Sequence, residues 1–108
     1  MLCEGKYSVW FKTPFGAGAG IVELGSEGVL SGGDPSFAYS GHWEQDGERF
    51  RAAISSKRIA DGPSVFGLNE ADITVTGVSS GGATASCTGS AKQAPNLKLE
   101  VTLVRMSA

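Results

Sequence analysis

The sequence predicts an all-β domain in which eight antiparallel strands form an up-and-down barrel. Three features predict this fold: apolar and polar residues alternate along most segments, glycine-containing turn signals separate those segments, and no segment keeps the 3.6-residue period of a long helix. Eight such strands can also pack as a sandwich, and we favour the barrel because closure removes exposed sheet edges. The length of 108 residues predicts a single domain over residues 1–108.

The predicted strands are alternating segments bounded by turn residues. In the first, Tyr7, Val9 and Phe11 share one face, as expected for a period of two. The dipeptide Asp46-Gly47 is a strong signal for a tight hairpin between the fourth and fifth strands. In chain order, the predicted strands cover residues 6–12, 18–24, a short segment starting at 29, 36–44, 48–56, 72–78, 83–90 and 97–103. The predicted turns and loops cover residues 13–16, 25–28, 32–35, 45–47, 57–70, 79–82 and 92–96.

Bulk is unevenly distributed over the predicted inner face of the barrel. The first, fourth and fifth strands supply aromatic side chains, whereas the segment 83–90 supplies alanine, cysteine and glycine. Side chains can just fill the interior of an eight-stranded barrel, or that interior can hold one small ligand. The small side chains therefore either leave a cavity for a small apolar ligand or make room for the aromatic side chains facing them. The candidate cavity-lining residues are Phe37, Tyr39, Trp43, Phe50, Ile54 and Cys87.

Composition argues against nucleic-acid binding and membrane insertion. The formal net charge is -2, from 9 basic and 11 acidic residues, and the sequence has no stripe of Lys and Arg that would displace counterions from a nucleic acid. We interpret Lys57-Arg58 as a solvated turn. The first residues lack the pattern of a signal peptide, and no window approaches the ~18 apolar residues of a membrane span. We expect a cytoplasmic protein with Cys3 and Cys87 as reduced thiols.

The sequence contains no recognisable catalytic or metal-binding constellation, so we expect neither an enzyme nor a bound metal or cofactor. His42 is the sole histidine, and alternation places it on the outer face of its strand. The glycines of 16–20 lead into a strand, whereas a dinucleotide-binding loop follows a strand and opens a helix. We interpret Gly32-Gly33-Asp34-Pro35 as a turn, because glycine, aspartate and proline are typical of turns.

Acidic side chains cluster at the predicted tip of the hairpin between the fourth and fifth strands. Water screens carboxylates at such a tip, whereas general-acid catalysis needs a desolvated carboxyl group with a raised pKa. The cluster therefore favours recognition of a protein partner over catalysis. The candidate partner-binding residues are Glu44, Gln45, Asp46 and Glu48.

Four short motifs resemble those of a known family. They are Gly5-Lys6-Tyr7-Ser8-Val9-x-Phe11, Gly18-x-Gly20-Ile21-Val22, Gly32-Gly33-Asp34 followed by Tyr39-x-Gly41, and Pro63-Ser64-Val65. Together they resemble the GrlR-like proteins, a family whose founder is a negative regulator of type III secretion genes in enteric pathogens. The resemblance spans Gly5 to Arg105 and is strongest between Gly5 and Gly41.

This resemblance implies a lipocalin-like (calycin-like) barrel, a homodimer and a non-enzymatic role. The family's founder binds a transcriptional activator through an exposed acidic run, Glu-Asp-Glu-Asp. The corresponding positions here are Gln45, Asp46, Gly47 and Glu48, of which two are acidic, with Glu44 adjacent. The resemblance therefore predicts a regulatory protein that sequesters an activator, whereas the uneven interior predicts a binder of a small apolar molecule or lipid.

Overall fold

The structure is a computed structural model that describes residues 2–62 and 64–106, and it confirms the predicted fold class. Eight antiparallel strands close into an up-and-down barrel, in which each strand pairs with the next and the last pairs with the first. A short 3-10 turn, Ser26–Gly28, connects the second strand to the third. The strands are β1 (Gly5–Thr13), β2 (Gly16–Leu24), β3 (Val29–Gly33), β4 (Phe37–Asp46), β5 (Arg49–Arg58), β6 (Glu70–Ser80), β7 (Thr84–Ala91) and β8 (Ala94–Arg105).

The predicted turn at 32–35 is partly wrong. Gly32 and Gly33 are the last residues of β3 and pair with β4, so that the chain turns only at Asp34–Ser36. A Cβ at Gly32 would lie 2.1 Å from the carbonyl oxygen of Ile21, and the φ of Gly32 is +154°. Glycine at position 32 therefore allows the backbones of β2 and β3 to approach each other closely.

The structure also corrects several predicted strand ends. β1 extends to Thr13 and β2 begins at Gly16, both within the turn predicted at 13–16, and β4 extends to Asp46, within the turn predicted at 45–47. Arg58 ends β5, where a solvated turn was predicted, because Lys57 still pairs with Glu70 of β6. β6 continues to Ser80, so the turn predicted at 79–82 shifts to residues 81–83. β8 begins at Ala94, within the loop predicted at 92–96.

The barrel has two ends that differ in how they are closed. The loop end carries the connections at residues 14–15, 34–36, 59–69 and 92–93. The terminal end carries the connections at residues 25–28, 47–48 and 81–83, together with the described ends of the chain. Inward side chains of alternate residues fill the terminal end, where Tyr7, Leu24 and Phe50 are among the most deeply buried.

The first residues of the chain help to close the terminal end. Leu2 is buried, and its backbone N–H donates to Oε1 of Gln45 at 3.0 Å. The Tyr7 hydroxyl donates to the carbonyl oxygen of Cys3 at 2.6 Å, and it accepts from Nη1 of Arg105 at 3.1 Å. These bonds join both described ends of the chain to β1 and β4 at the terminal end.

Candidate functional site

The loop end of the barrel contains an apolar cavity of about 330 Å³. Inward residues of six of the eight strands line it, and the loop at 59–69 covers it. A cavity of this size lies at the lower end of the range for small-molecule sites, which are typically concave and mostly apolar. The main apolar residues that line it are Phe11, Val22, Phe37, Tyr39, Ile54 and Val75.

Three of the six predicted lining residues, Phe37, Tyr39 and Ile54, line this cavity. They alternate inward along β4 and β5 at the loop end, as their sequence period requires. The Tyr39 ring meets the Phe11 ring edge to face, with centroids 6.5 Å apart. Phe11 in turn packs over Gly18, since a Cβ there would lie 2.6 Å from the Phe11 ring.

The other three, Trp43, Phe50 and Cys87, lie at the terminal end and do not line the cavity. The rings of Trp43 and Phe50 stack with centroids 6.3 Å apart. Phe50 is in register with Gly77 of β6, which is in register with Cys87 of β7. The small side chains therefore make room for aromatic rings at the terminal end, and the cavity lies at the opposite end.

Burial raises the pKa of the Cys87 thiol to about 11. Its side chain points into the core, where a thiolate would lose its hydration. Cys3 is exposed, and both cysteines are free. Cys87 therefore behaves as a small apolar residue of the terminal end.

The mouth of the cavity lies beside the short strand β3. The pairing of β2 with β3 ends at Ile21 and Gly33, so residues 16–20 of β2 continue beyond the end of β3. Ala17, Ala19 and Pro35 line the cavity and are also exposed, which marks this gap as its opening. The run of glycine and alanine in β2 thus forms a wall with little side-chain bulk.

The loop at 59–69 covers the loop end and contributes apolar side chains to the cavity. Val65, Phe66 and Leu68 line it, and Phe66 is buried. The Ser64 hydroxyl stabilises this part of the loop, because Oγ accepts from the backbone N–H of Leu68 at 3.2 Å and donates to the Leu68 carbonyl at 3.1 Å. Thr13 Oγ1 donates to the Val65 carbonyl and so ties the loop to β1. Pro63, which belongs to one of the four motifs, lies outside the described residues.

Arg58 anchors the same loop, a role that the sequence reading missed. Its Nε donates to Oδ1 of Asn69 at 2.7 Å, and its Nη1 donates to the carbonyls of Ala60 and Gly62 at 3.0 and 2.9 Å. The guanidinium also lies over the Phe37 ring, 4.7 Å from its centroid. Its position in the sequence could have indicated this role, because alternation puts Arg58 on the inner face of β5, just before an irregular segment.

Asp34 is a second residue that the sequence reading did not assign to the site. Its Oδ1 accepts from the backbone N–H groups of Ser36 and Phe37, both at 2.8 Å, and its Oδ2 accepts from the Tyr39 hydroxyl. The first two bonds are those of an Asx turn, which the sequence Asp-Pro-Ser favours. Burial, the hydrogen bond to Asp34 and the charge of Asp34 together raise the pKa of Tyr39 above its ordinary value of 10.0.

The predicted acidic tip is a two-residue turn, Gly47-Glu48, at the terminal end. Gly47 has a φ of +62°, which suits glycine, while Asp46 pairs with Arg49 as the last residues of the hairpin strands. Asp46 and Glu48 are exposed.

The other two candidate tip residues are less available to a partner. The Glu44 carboxylate lies 3.5 Å from the Arg51 guanidinium. Gln45 points inward, where its Nε2 donates to Oγ of Ser79 and its Oε1 accepts from Leu2. Of the four candidate residues, Asp46 and Glu48 are therefore best placed to meet a partner.

His42 lies on the outer face of β4, as alternation predicts, and it borders a groove on the outer side of strands β3 to β7. Among the described residues, no group of three or more His, Cys, Asp or Glu side chains is arranged to hold a metal ion. Within residues 2–62 and 64–106, no helix is long and apolar enough to cross a membrane.

Comparisons with known proteins add no family to this description. A scan against models of protein families finds no match, and a search of curated proteins finds none. The likeness to the GrlR-like family therefore stays a prediction that depends on the sequence motifs.

Proposed function

We propose that the protein binds a small, mainly apolar molecule in the cavity at the loop end. One observation carries this proposal: an apolar cavity of about 330 Å³ with a mouth to solvent, in a barrel whose opposite end is filled with side chains. Apolar surface that leaves water for this cavity gains about 25 cal/mol per Å². A ligand of about ten heavy atoms would bind with a Kd between roughly 1 µM and 1 mM, given ordinary ligand efficiencies.

Two measurements test this function. Mass spectrometry of gently extracted protein under native conditions should detect a carried small molecule. The fluorescence of N-phenyl-1-naphthylamine, a neutral apolar probe, should rise on binding and fall when 1-octanol displaces it.

A matched pair of variants locates the binding. Ala71→Leu adds bulk to the cavity wall and should weaken probe binding at least ten-fold, whereas Ala53→Leu makes the same change on the outer face of β5 and should leave it unchanged. Equal affinity of the wild type and both variants would show that the probe binds elsewhere.

A protein-binding role at the acidic tip is our second proposal, supported by the exposure of Asp46 and Glu48 at a hairpin turn. The tip also carries Arg49 and Arg51, which reduce its negative field. This makes the tip a weaker candidate than the cavity. The transcriptional activator and the homodimer implied by the resemblance belong to this proposal.

Recovery of partners from the native host tests the role of the tip. A regulatory partner with a basic surface should be recovered with the wild type and lost with the Asp46→Lys/Glu48→Lys variant. Equal recovery of all partners by both forms would refute a role for the tip. Sedimentation equilibrium of the purified protein would show whether its mass is one or two chains.

A further inference from the structure

The cavity is mainly apolar, with a few hydroxyl groups, and one charged group lies near its mouth. Among the described residues that line it, Asp34 is the sole Asp, Glu, Lys, Arg or His. The Asp34 carboxylate should therefore determine which ligand charge the cavity favours, because an ion that leaves water needs a partner of opposite charge.

The Asp34 carboxylate has capacity for one more hydrogen bond. A carboxylate has about four acceptor sites on its two oxygens, and three donors already occupy the carboxylate of Asp34. These donors hold it in one orientation at the cavity wall. The fourth site has no donor among the described residues, so it can accept from a ligand.

Within residues 2–62 and 64–106, the ion pairs are Lys12–Glu100 and Arg51–Glu44, so Asp34 has no described basic partner. The Arg58 guanidinium is nearby on the Phe37 ring, but it donates to Asn69, Ala60 and Gly62 of the covering loop. A ligand cation would therefore supply a counter-charge that no described residue provides within ion-pair distance.

Aromatic rings add to this preference. Phe11 and Tyr39 line the same cavity, and the faces of aromatic rings attract cations. A ligand carboxylate would instead meet the Asp34 charge, with no lysine, arginine or histidine among the described lining residues to balance it.

We infer that the ligand is a cationic amphiphile: a protonated amine that binds Asp34 at the mouth, with an apolar body that fills the cavity. The inference rests on the proposed function, since it specifies the chemistry of a ligand in that same cavity. It excludes fatty acids and other apolar anions as ligands.

The test compares three probes of one chain length: octylamine, 1-octanol and octanoate, each titrated calorimetrically into the wild type at pH 7. Octylamine should bind at least roughly 10-fold more tightly than 1-octanol, because one hydrogen bond to a charged group contributes a difference in affinity of that size. Octanoate should bind most weakly. The Asp34→Asn variant should lose the amine preference and keep its affinity for 1-octanol.

Asp34→Asn is a conservative choice, because its Oδ1 can still accept from the N–H groups of Ser36 and Phe37. Tyr39→Phe is the second variant. It removes one donor to Asp34 Oδ2 and should keep or strengthen the amine preference. Thermal unfolding of both variants checks that each is folded.

The outcomes separate this inference from the function on which it rests. Binding of 1-octanol with no preference for octylamine, or a preference that persists in Asp34→Asn, would overturn the inference and leave the cavity function standing. No binding of any of the three probes to the wild type would overturn both.

Discussion

The same substitution, alanine to leucine, should have opposite effects on stability at the two ends of the barrel. Ala71 and Ala85 both point inward and are 6 % and 1 % exposed. Ala71 lines the cavity, whereas Ala85 lies in the filled terminal end, in register with Ser79 and Leu103. Ala71→Leu should therefore enter empty space, and Ala85→Leu should overpack.

The expected difference between the variants follows from burial and overpacking. Leucine adds about three buried carbons, each of which stabilises the fold by about 0.8 kcal/mol, and its lost rotamer freedom costs about 0.5–1 kcal/mol. Ala71→Leu should therefore raise the free energy of unfolding by roughly 1–2 kcal/mol. Overpacking at Ala85 should cost about 1–3 kcal/mol. Because 1 kcal/mol shifts the Tm of a domain of this size by roughly 4–8 °C, the two variants should differ by about 8 °C or more.

Thermal and urea unfolding, followed by circular dichroism, measure this difference. The wild type serves as the reference, and Ala53→Leu on the outer face serves as the control for added apolar bulk. Equal destabilisation by Ala71→Leu and Ala85→Leu would refute the reasoning, because it would mean that both ends are filled to the same density.

Further expectations concern the covering loop and the buried ionisable groups. Arg58→Ala should lower the free energy of unfolding by about 1–2 kcal/mol and speed hydrogen exchange in residues 59–69. Arg58→Lys lacks the planar fork, so it should retain only part of this stability. Unchanged exchange in Arg58→Ala would contradict the anchoring role. Cys3 should react with a thiol reagent rapidly and Cys87 only on unfolding, because Cys3 is exposed and Cys87 is buried. A single fast phase for both thiols would place Cys87 at the surface. Burial raises the pKa of Cys87 from 9.0 to about 11 and that of Tyr39 above 10.0, so the unfolded chain loses these protons first. Stability should therefore be full below about pH 9 and fall as the pH rises above it, and a free energy of unfolding that stays constant between pH 8 and 11 would contradict this.

Alternation along the strands predicted which side chains face inward, because the side-chain period of a strand is fixed at two. It placed Phe37, Tyr39 and Trp43 on one face correctly. It could not predict how deep each lies along the barrel axis, because depth depends on the register and stagger of strands distant in the sequence. That is why Phe37 and Tyr39 line the cavity, while Trp43 stacks on Phe50 at the other end.

The polar residues of the site were harder to predict for a related reason. Asp34 and Arg58 were interpreted as turn residues, and each acts through contacts that the local pattern does not specify. Arg58 binds Asn69 across an eleven-residue separation, and the position of Asp34 at a cavity mouth depends on where β3 ends. Turn chemistry predicted the local conformation at Asp34 and gave no information on the cavity beside it.

The same limit applies to the acidic tip. The sequence predicted the hairpin and its exposed carboxylates, but adjacency alone did not show that Gln45 points inward to Leu2 and Ser79.

The most direct test of the cavity as the binding site is a titration of ¹⁵N-labelled protein with 1-octanol, followed residue by residue through amide chemical shifts. The neutral probe separates cavity binding from the charge preference of Asp34. We expect the largest shifts at the loop end, around Phe11, Tyr39 and Leu68, with saturation at a single Kd and little change at Asp46 and Glu48. Shifts centred on the tip or the outer face, or no saturable shifts at all, would contradict binding in the cavity.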